Sequence, residues 1–488
     1  MENSKLIQLI KALSEPEIKE VRLYLESPFH NTDPHVAAFF KALCRYYPDL
    51  QGNRMTKAGL FKMVFKNTPY DDKKLRKLMS KLTKSIQAFM VMKEGQEAPA
   101  HRLLLVQALA RRGAQQLFEQ EAKTGIHEIE SNGAKGIAQY RELAWYYHLW
   151  HFSSASGQVA AADSQIVPAL ENTEHYFVLA ALEYHLEVLI RSKTREVPAP
   201  YSFFNPVCQY AAAQSEEKHP VIALFFQLQE LYAGSRNDSL FQKTYQLYLD
   251  IEAGMSRFER QLAWKILCQY LIRHSNDGHM ADSRFLFDLY KSGLEKGMLA
   301  EQELIRKKSF TNIALAGIMV YEFDWALDFV DRYHNLLDTR EQEATKDLVM
   351  AYWNYYRATV SATESESLFK EASRLLQRIP YSDEIFYLRI YSLRLRLNYD
   401  YDLRKKQNPE ELKRTLKNFK RYLDGKTELS NEPLERYRQF SVFLEKLAKL
   451  SAREKDELQK MINSLVHTPG VAFRHWLLTS AHSLLQTV

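Results

Sequence analysis

The sequence predicts an all-α chain, an irregular solenoid of stacked helix pairs preceded by an N-terminal helical capping unit. Three observations carry this expectation. Apolar residues recur at the i, i+3, i+4, i+7 spacing of one helix face through segments of roughly 12–25 residues. Glycine and proline number only 16 and 15 among 488 residues, about half of average usage, which disfavours turn-rich sheets. No alternating strands are bounded by hairpin turns, and no sustained heptads mark a long coiled coil. A hydrophobic content of 46% and a charged content of 26% match a globular chain rather than a disordered or collagen-like one.

Residues 1–93 read as one helical unit. Ser14-Glu15-Pro16-Glu17 supplies a hydroxyl cap, an early proline and a carboxylate three residues after the serine, so a helix begins there and buries Ile18, Val21 and Leu25. Ser27-Pro28 stops it, because the residue before proline disfavours helical backbone. Asp33-Pro34 starts a second helix with Val36, Phe39, Phe40, Leu43, Cys44 and Tyr47 on one face, ended by Pro48. A shorter helix follows around residues 56–66. Asp71-Asp72 then caps the strongest amphipathic segment: Leu75, Leu78, Met79, Leu82, Ile86, Phe89 and Met90 form its buried stripe, and Lys73, Lys74, Arg76, Lys77, Lys81 and Lys84 take other faces. A helix pair of this kind fits a capping hairpin better than a helix-turn-helix reader, since no Asn, Gln or Arg constellation specifies bases.

Residues 94–100 form the expected linker, and residues 101–488 continue as the solenoid. Breaks are expected at residues 131–133, 153–157, 198–206, 234–238, 276–278 and 380–383. This spacing gives about 16–20 helices in all. Three helix starts carry alanines 45 and 46 residues apart, Ala281, Ala326 and Ala372, each followed by a bulky residue: Phe287, Phe329 and Leu376. Small residues there let one helix approach its partner closely, as stacking of pairs requires.

The stretch Asn312 to Leu337, with Ile313-Ala314, Tyr321, Trp325-Ala326, Phe329 and Tyr333, resembles a degenerate tetratricopeptide helix pair. The proline expected after its second helix is missing, so no ligand-binding residue of that family carries over. Ser27-Pro28-Phe29-His30-Asn31, Tyr70-Asp71 before Leu75-Arg76-Lys77-Leu78-Met79-Ser80, and Phe419-Lys420-Arg421-Tyr422-Leu423 make the chain similar to a helical family associated with Bacteroidota that has no known catalytic residues. The two resemblances imply a helical-repeat fold and a cytoplasmic protein, and they imply no activity.

The N-terminus has no signal-like apolar stretch, and no window approaches 18 uncharged apolar residues, so a soluble cytoplasmic protein without membrane insertion is expected. Cys44, Cys208 and Cys268 are too few and too far apart for a disulfide framework. The net charge of +6 is unevenly placed. Residues 57–84 carry nine Lys and Arg against Asp71 and Asp72, and residues 404–426 carry nine against Glu410, Glu411 and Asp424, which leaves the remainder net acidic. The second segment contributes Arg404, Lys405, Lys413, Arg414, Lys417, Lys420 and Arg421 as candidate partner-binding residues, with Tyr399, Tyr401 and Tyr422 as nearby aromatics able to stack on bases.

Motifs for catalysis are scarce. There is no glycine-rich phosphate loop, His-Glu-x-x-His, Cys-x-x-Cys or Gly-x-Ser-x-Gly. Ser215-x-x-Lys218 and Ser367-x-x-Lys370 match only the minimal spacing of a Ser–Lys pair. Asn398, Asp400 and Asp402 start like a calcium loop, but Leu403 stands where glycine is needed and Pro409 where a bidentate Glu is needed. His148 and His151 share a helical face without a third ligand and read as aromatic packing. The expectation is a non-catalytic scaffold or adaptor for a macromolecule, preferably a protein, with no cofactor and no metal. The alternative is nucleic-acid association through the two basic segments, and an enzyme with a motif-free site ranks third.

Overall fold

The computed structural model describes residues 4–51, 55–97, 101–131, 133–153, 159–192, 203–275, 280–298, 305–380, 384–403, 408–425 and 431–486. Twenty-three α-helices and no strand occur among them, so the all-α class holds. The count exceeds the expected 16–20 because several helices are divided by a single residue in the left-handed conformation rather than by a cluster of turn residues. Gly113, with φ +67°, divides Gln115–Glu130 from His101–Arg111. Tyr321, with φ +64° and no glycine's freedom, divides Lys307–Met319 from Phe323–Tyr333. A short opening helix, Lys5–Lys11, adds another.

Locally encoded starts are where chemistry puts them. The Ser14 backbone N–H and hydroxyl both donate to Glu17 Oε2 at 2.7 Å, opening Glu15–Glu26. Asp33 Oδ1 accepts from the His35 amide at 3.1 Å at the start of Pro34–Leu43. That helix tightens into a 3₁₀ turn, Cys44–Tyr46, so Cys44 and Tyr47 leave the α-helical face and are half-buried. The Thr56 hydroxyl accepts from the Gly59 amide at 3.0 Å and opens Lys57–Val64. The Asp72–Glu97 helix runs through Glu97, well into the stretch expected as a linker.

The chain divides into two compact units, residues 1–128 with 142–169, and residues 129–141 with 170–488. In the first, helices up to Phe89 close one core around Leu6, Val21, Phe39, Leu60, Leu82 and Ile86. In the second, neighbouring helices pair, and helices two apart also touch: Pro220–Ala233 with Arg257–Ser275, Lys307–Met319 with Gln342–Val360, and the latter with Glu384–Leu397. This is the contact pattern of stacked helix pairs. Ala326 and Ala372 are fully buried, as close approach requires, whereas the Ala281 side chain lies outside the described residues. In the tetratricopeptide-like stretch the Trp325 indole rests on Gly317, where an added Cβ would come within 2.8 Å of the ring. The second unit contains two cores, and Glu384–Leu397 serves both: Phe386, Ile390, Leu393 and Leu397 face one, Leu388 and Leu395 the other.

Candidate functional site

The first basic segment is displayed by Asp72–Glu97. Asp71 Oδ1 caps the helix by accepting from the Lys74 amide at 3.0 Å, and Leu75, Leu78, Leu82, Ile86 and Phe89 are buried as expected. All six candidate cations on it are exposed. Three of them are engaged. Arg76 Nε meets Asp72 Oδ2 at 2.7 Å, Lys81 meets Asp33 at 2.8 Å, and Lys74 lies over the Phe65 ring, 4.0 Å from its centroid. The Tyr70 hydroxyl and then Lys57 donate to Asp72 and hold its carboxyl below the usual range, and Lys81 does the same for Asp33.

Lys73, Lys77 and Lys84 have no partner among the described residues. At 3.6 residues per turn they fall within about 40° of one another on the helix, with Ser80 between them, over about 16 Å. A shallow depression lined by Asp72, Lys73, Arg76, Lys77 and Ser80 runs along this side. From Lys73 to Lys93 the sequence has seven basic residues and no acidic one. The result is a one-sided positive stripe backed by a packed face.

The second basic segment is Glu410–Asp424, which buries Leu412, Leu416, Phe419 and Leu423. Lys413 pairs with Glu410 at 3.0 Å and Arg414 with Glu411 at 2.6 Å, both neutralised within their own helix. Lys420 pairs with Glu445, whose carboxyl is pulled down to about 2 by Lys420 and then Lys449. Lys417 and Arg421, one turn apart, remain without a partner among the described residues, and Arg404 and Lys405 lie outside them. This segment offers fewer free cations than its composition implies, because its acids are interleaved at i, i+3 spacing.

Tyr399 and Tyr401, expected to stand exposed beside it, are buried instead. A π-helical stretch, Asn398–Leu403, follows the preceding helix and turns both rings into the cores. Tyr422 is half-buried and stacks on Tyr387 with ring centroids 3.6 Å apart. The calcium-like residues are structural in their contacts. Asn398 donates to the Thr415 hydroxyl at 3.0 Å, and Asp400 accepts from Tyr355 at 2.6 Å and Trp476 at 3.2 Å.

Neither Ser–Lys spacing produces a pair among the described residues. The Ser367 hydroxyl donates to the Glu364 carbonyl at 2.8 Å, while Lys370 pairs with Glu366 at 2.8 Å. His148 stacks on Trp145 with centroids 4.9 Å apart, in the aromatic packing expected for it. Cys44, Cys208 and Cys268 are unbridged. No group of three or more His, Cys, Asp or Glu able to hold a metal occurs among the described residues, and none of their helices is long and apolar enough to cross a membrane.

A buried polar cluster in the second unit escaped sequence reading. Tyr140 Oη lies 2.9 Å from His219 Nδ1, and the His219 ring packs at a 35° tilt against His175 with centroids 4.0 Å apart. Desolvation lowers both imidazoles, and His175 helps push His219 down to about 4. Glu183, 2% exposed, has an Oε1 atom without a partner, and burial followed by repulsion from Glu259 raises its carboxyl to about 8. Glu259 accepts from the Ile137 and Ser256 amides, each at 2.9 Å. In the sequence, Glu183 is visible only as an interruption of an apolar run, and Glu259, the charge that repels it, lies about 80 residues away. Comparison with protein-family models, with curated proteins and with solved structures finds no match, so the tetratricopeptide-like and Bacteroidota resemblances rest on this chain's own residues.

Proposed function

We propose that this protein is a non-catalytic, cytoplasmic helical scaffold that binds an acidic protein partner, with Lys73, Lys77 and Lys84 as its principal contact cations and Lys417 and Arg421 as a second patch. The observation that carries the reading is the stripe on Asp72–Glu97: three unpaired lysines on one exposed helix face with no intervening acid. Such a face attracts acidic surfaces at long range and fixes orientation on contact. Lysine, a hydrated point charge, suits steering more than planar recognition. Nucleic-acid association would draw on the same cations, but Tyr399 and Tyr401 are enclosed and not free to stack on bases.

The test is affinity purification from the native cytoplasm, with and without nuclease, of wild type and a Lys73→Glu, Lys77→Glu, Lys84→Glu variant. The proposal expects protein partners that survive nuclease treatment and are lost from the variant. Material removed by nuclease and restored by added RNA or DNA would instead support the nucleic-acid alternative. Partners equally retained by wild type and the folded variant would rule out the stripe.

A further inference from the structure

The second unit holds a group of cations that the scaffold reading does not use. On Glu384–Leu397, Arg389 and Arg396 are seven residues apart and so lie on one helix face, separated by about 10 Å along the axis. On Lys307–Met319, Lys308 and Asn312 share a face in the same way. The two faces meet: Arg389 Nη2 donates to Asn312 Oδ1 at 2.5 Å. Between them Gln342–Val360 contributes Tyr352, whose hydroxyl donates to the Arg389 carbonyl at 3.2 Å, and Tyr356, whose hydroxyl accepts from Arg396 Nη1 at 3.3 Å.

What distinguishes this group from an ordinary ion-pair network is that the acids are missing. Neither Lys308, Arg389 nor Arg396 has a carboxylate within 4.0 Å among the described residues. Arg396 is 1% exposed, and its guanidinium faces the rings of Phe473, Tyr355 and Tyr352 at 4.3, 5.4 and 5.7 Å. Its Nη2 and the Nη1 of Arg389 are buried and make no hydrogen bond. The Arg396 Nε donates to the Ser392 carbonyl at 3.3 Å, and this bond, the Tyr356 phenol and the cation–π contacts offset only part of the desolvation of a buried guanidinium. Lys308 keeps an exposed side chain, and partial desolvation and then the nearby Arg389 charge hold its ammonium below the usual lysine range.

We propose that Lys308, Asn312 and Arg389 form a phosphate-binding site, with the enclosed guanidinium of Arg396 adding positive charge nearby without touching the ligand. Three cations without a counter-charge call for a dianion, and a tetrahedral oxyanion accepts donors arriving from different helices, whereas one carboxylate leaves at least one cation unmatched. The site is independent of the lysine stripe and stands or falls without it.

The full chain in phosphate-free buffer is titrated by calorimetry with inorganic phosphate and, separately, with phosphoserine, at constant ionic strength set by chloride. Saturable binding that weakens at least tenfold in Lys308→Gln and Arg389→Gln is the expected result, with circular dichroism and melting temperature confirming that each variant is folded. Lys308 is exposed, so its variant tests the site without disturbing a core. Tighter binding of phosphoserine would place the phosphate on a larger ligand and equal binding would point to the free ion, and each supports the site. No saturable heat up to tens of millimolar, unchanged affinity in folded variants, or saturation by citrate but not phosphate would overturn it.

Discussion

Glu183, buried, and His219, half-buried, are desolvated with opposite consequences for acid and base. A carboxyl that titrates at about 8 in the folded chain and near 4.5 when exposed holds its proton longer in the folded state. Stability therefore falls as pH rises from 4.5 to 8, by on the order of 5 kcal/mol at full effect. His219 titrates at about 4 against an ordinary 6.5, so the unfolded chain takes up the proton first and stability falls as pH drops from 6.5 to 4. Glu183→Gln keeps the shape and removes the charge. Urea unfolding between pH 4 and 9 should show that variant losing the decline toward alkaline pH and exceeding wild type most clearly at pH 8 and above; an unchanged slope would mean the carboxyl is not held neutral. None of this was legible in the sequence, since desolvation belongs to the neighbours that folding brings in. Residues in the basic segments were legible as charges, but which of them keep a free charge was settled by partners such as Asp33, far away in sequence.

Helix starts were the most readable elements, because a cap is local chemistry: Ser14 with Glu17, Asp33, Thr56 and Asp71 each satisfy amides within three residues. Stops without glycine were not readable. Tyr321 takes the left-handed conformation that ends Lys307–Met319, with the Glu322 amide donating to the Gly317 carbonyl at 3.0 Å and the Tyr321 amide to the Ile318 carbonyl at 3.1 Å. Tyr321→Gly removes that strain and should raise stability by about 0.5–1 kcal/mol, read as a higher melting temperature, with destabilisation showing that the Tyr321–Phe323 ring contact matters more. The π-helical stretch at Asn398–Leu403 was equally hidden, and it is what buried the two tyrosines assigned to the surface. For the lysine stripe, replacing Lys73, Lys77 and Lys84 by Glu breaks no ion pair, so each change should shift stability by no more than about 0.5 kcal/mol.

At the scale of the molecule, composition and periodicity sufficed for an all-α chain of paired helices. The passages between the two units carry no linker signal, because the crossings near residues 128, 141 and 169 fall inside Gln115–Glu130, Ile137–Ser153 and Val159–Ser192. Each unit has its own core, so calorimetric unfolding should resolve more than one transition. Leu82→Ala, which empties a fully buried position of the first core, should lower one transition by about 2–5 kcal/mol and leave the others in place; a uniform shift of the whole trace would show the units melting as one. Glu384–Leu397 has the opposite character, greasy on both flanks. It acts as a party wall: a chain cut ahead of it leaves the preceding rooms open to rain, and a chain begun behind it does the same to those that follow. Fragments severed at either edge should clump, and shorter versions of this protein are better divided elsewhere.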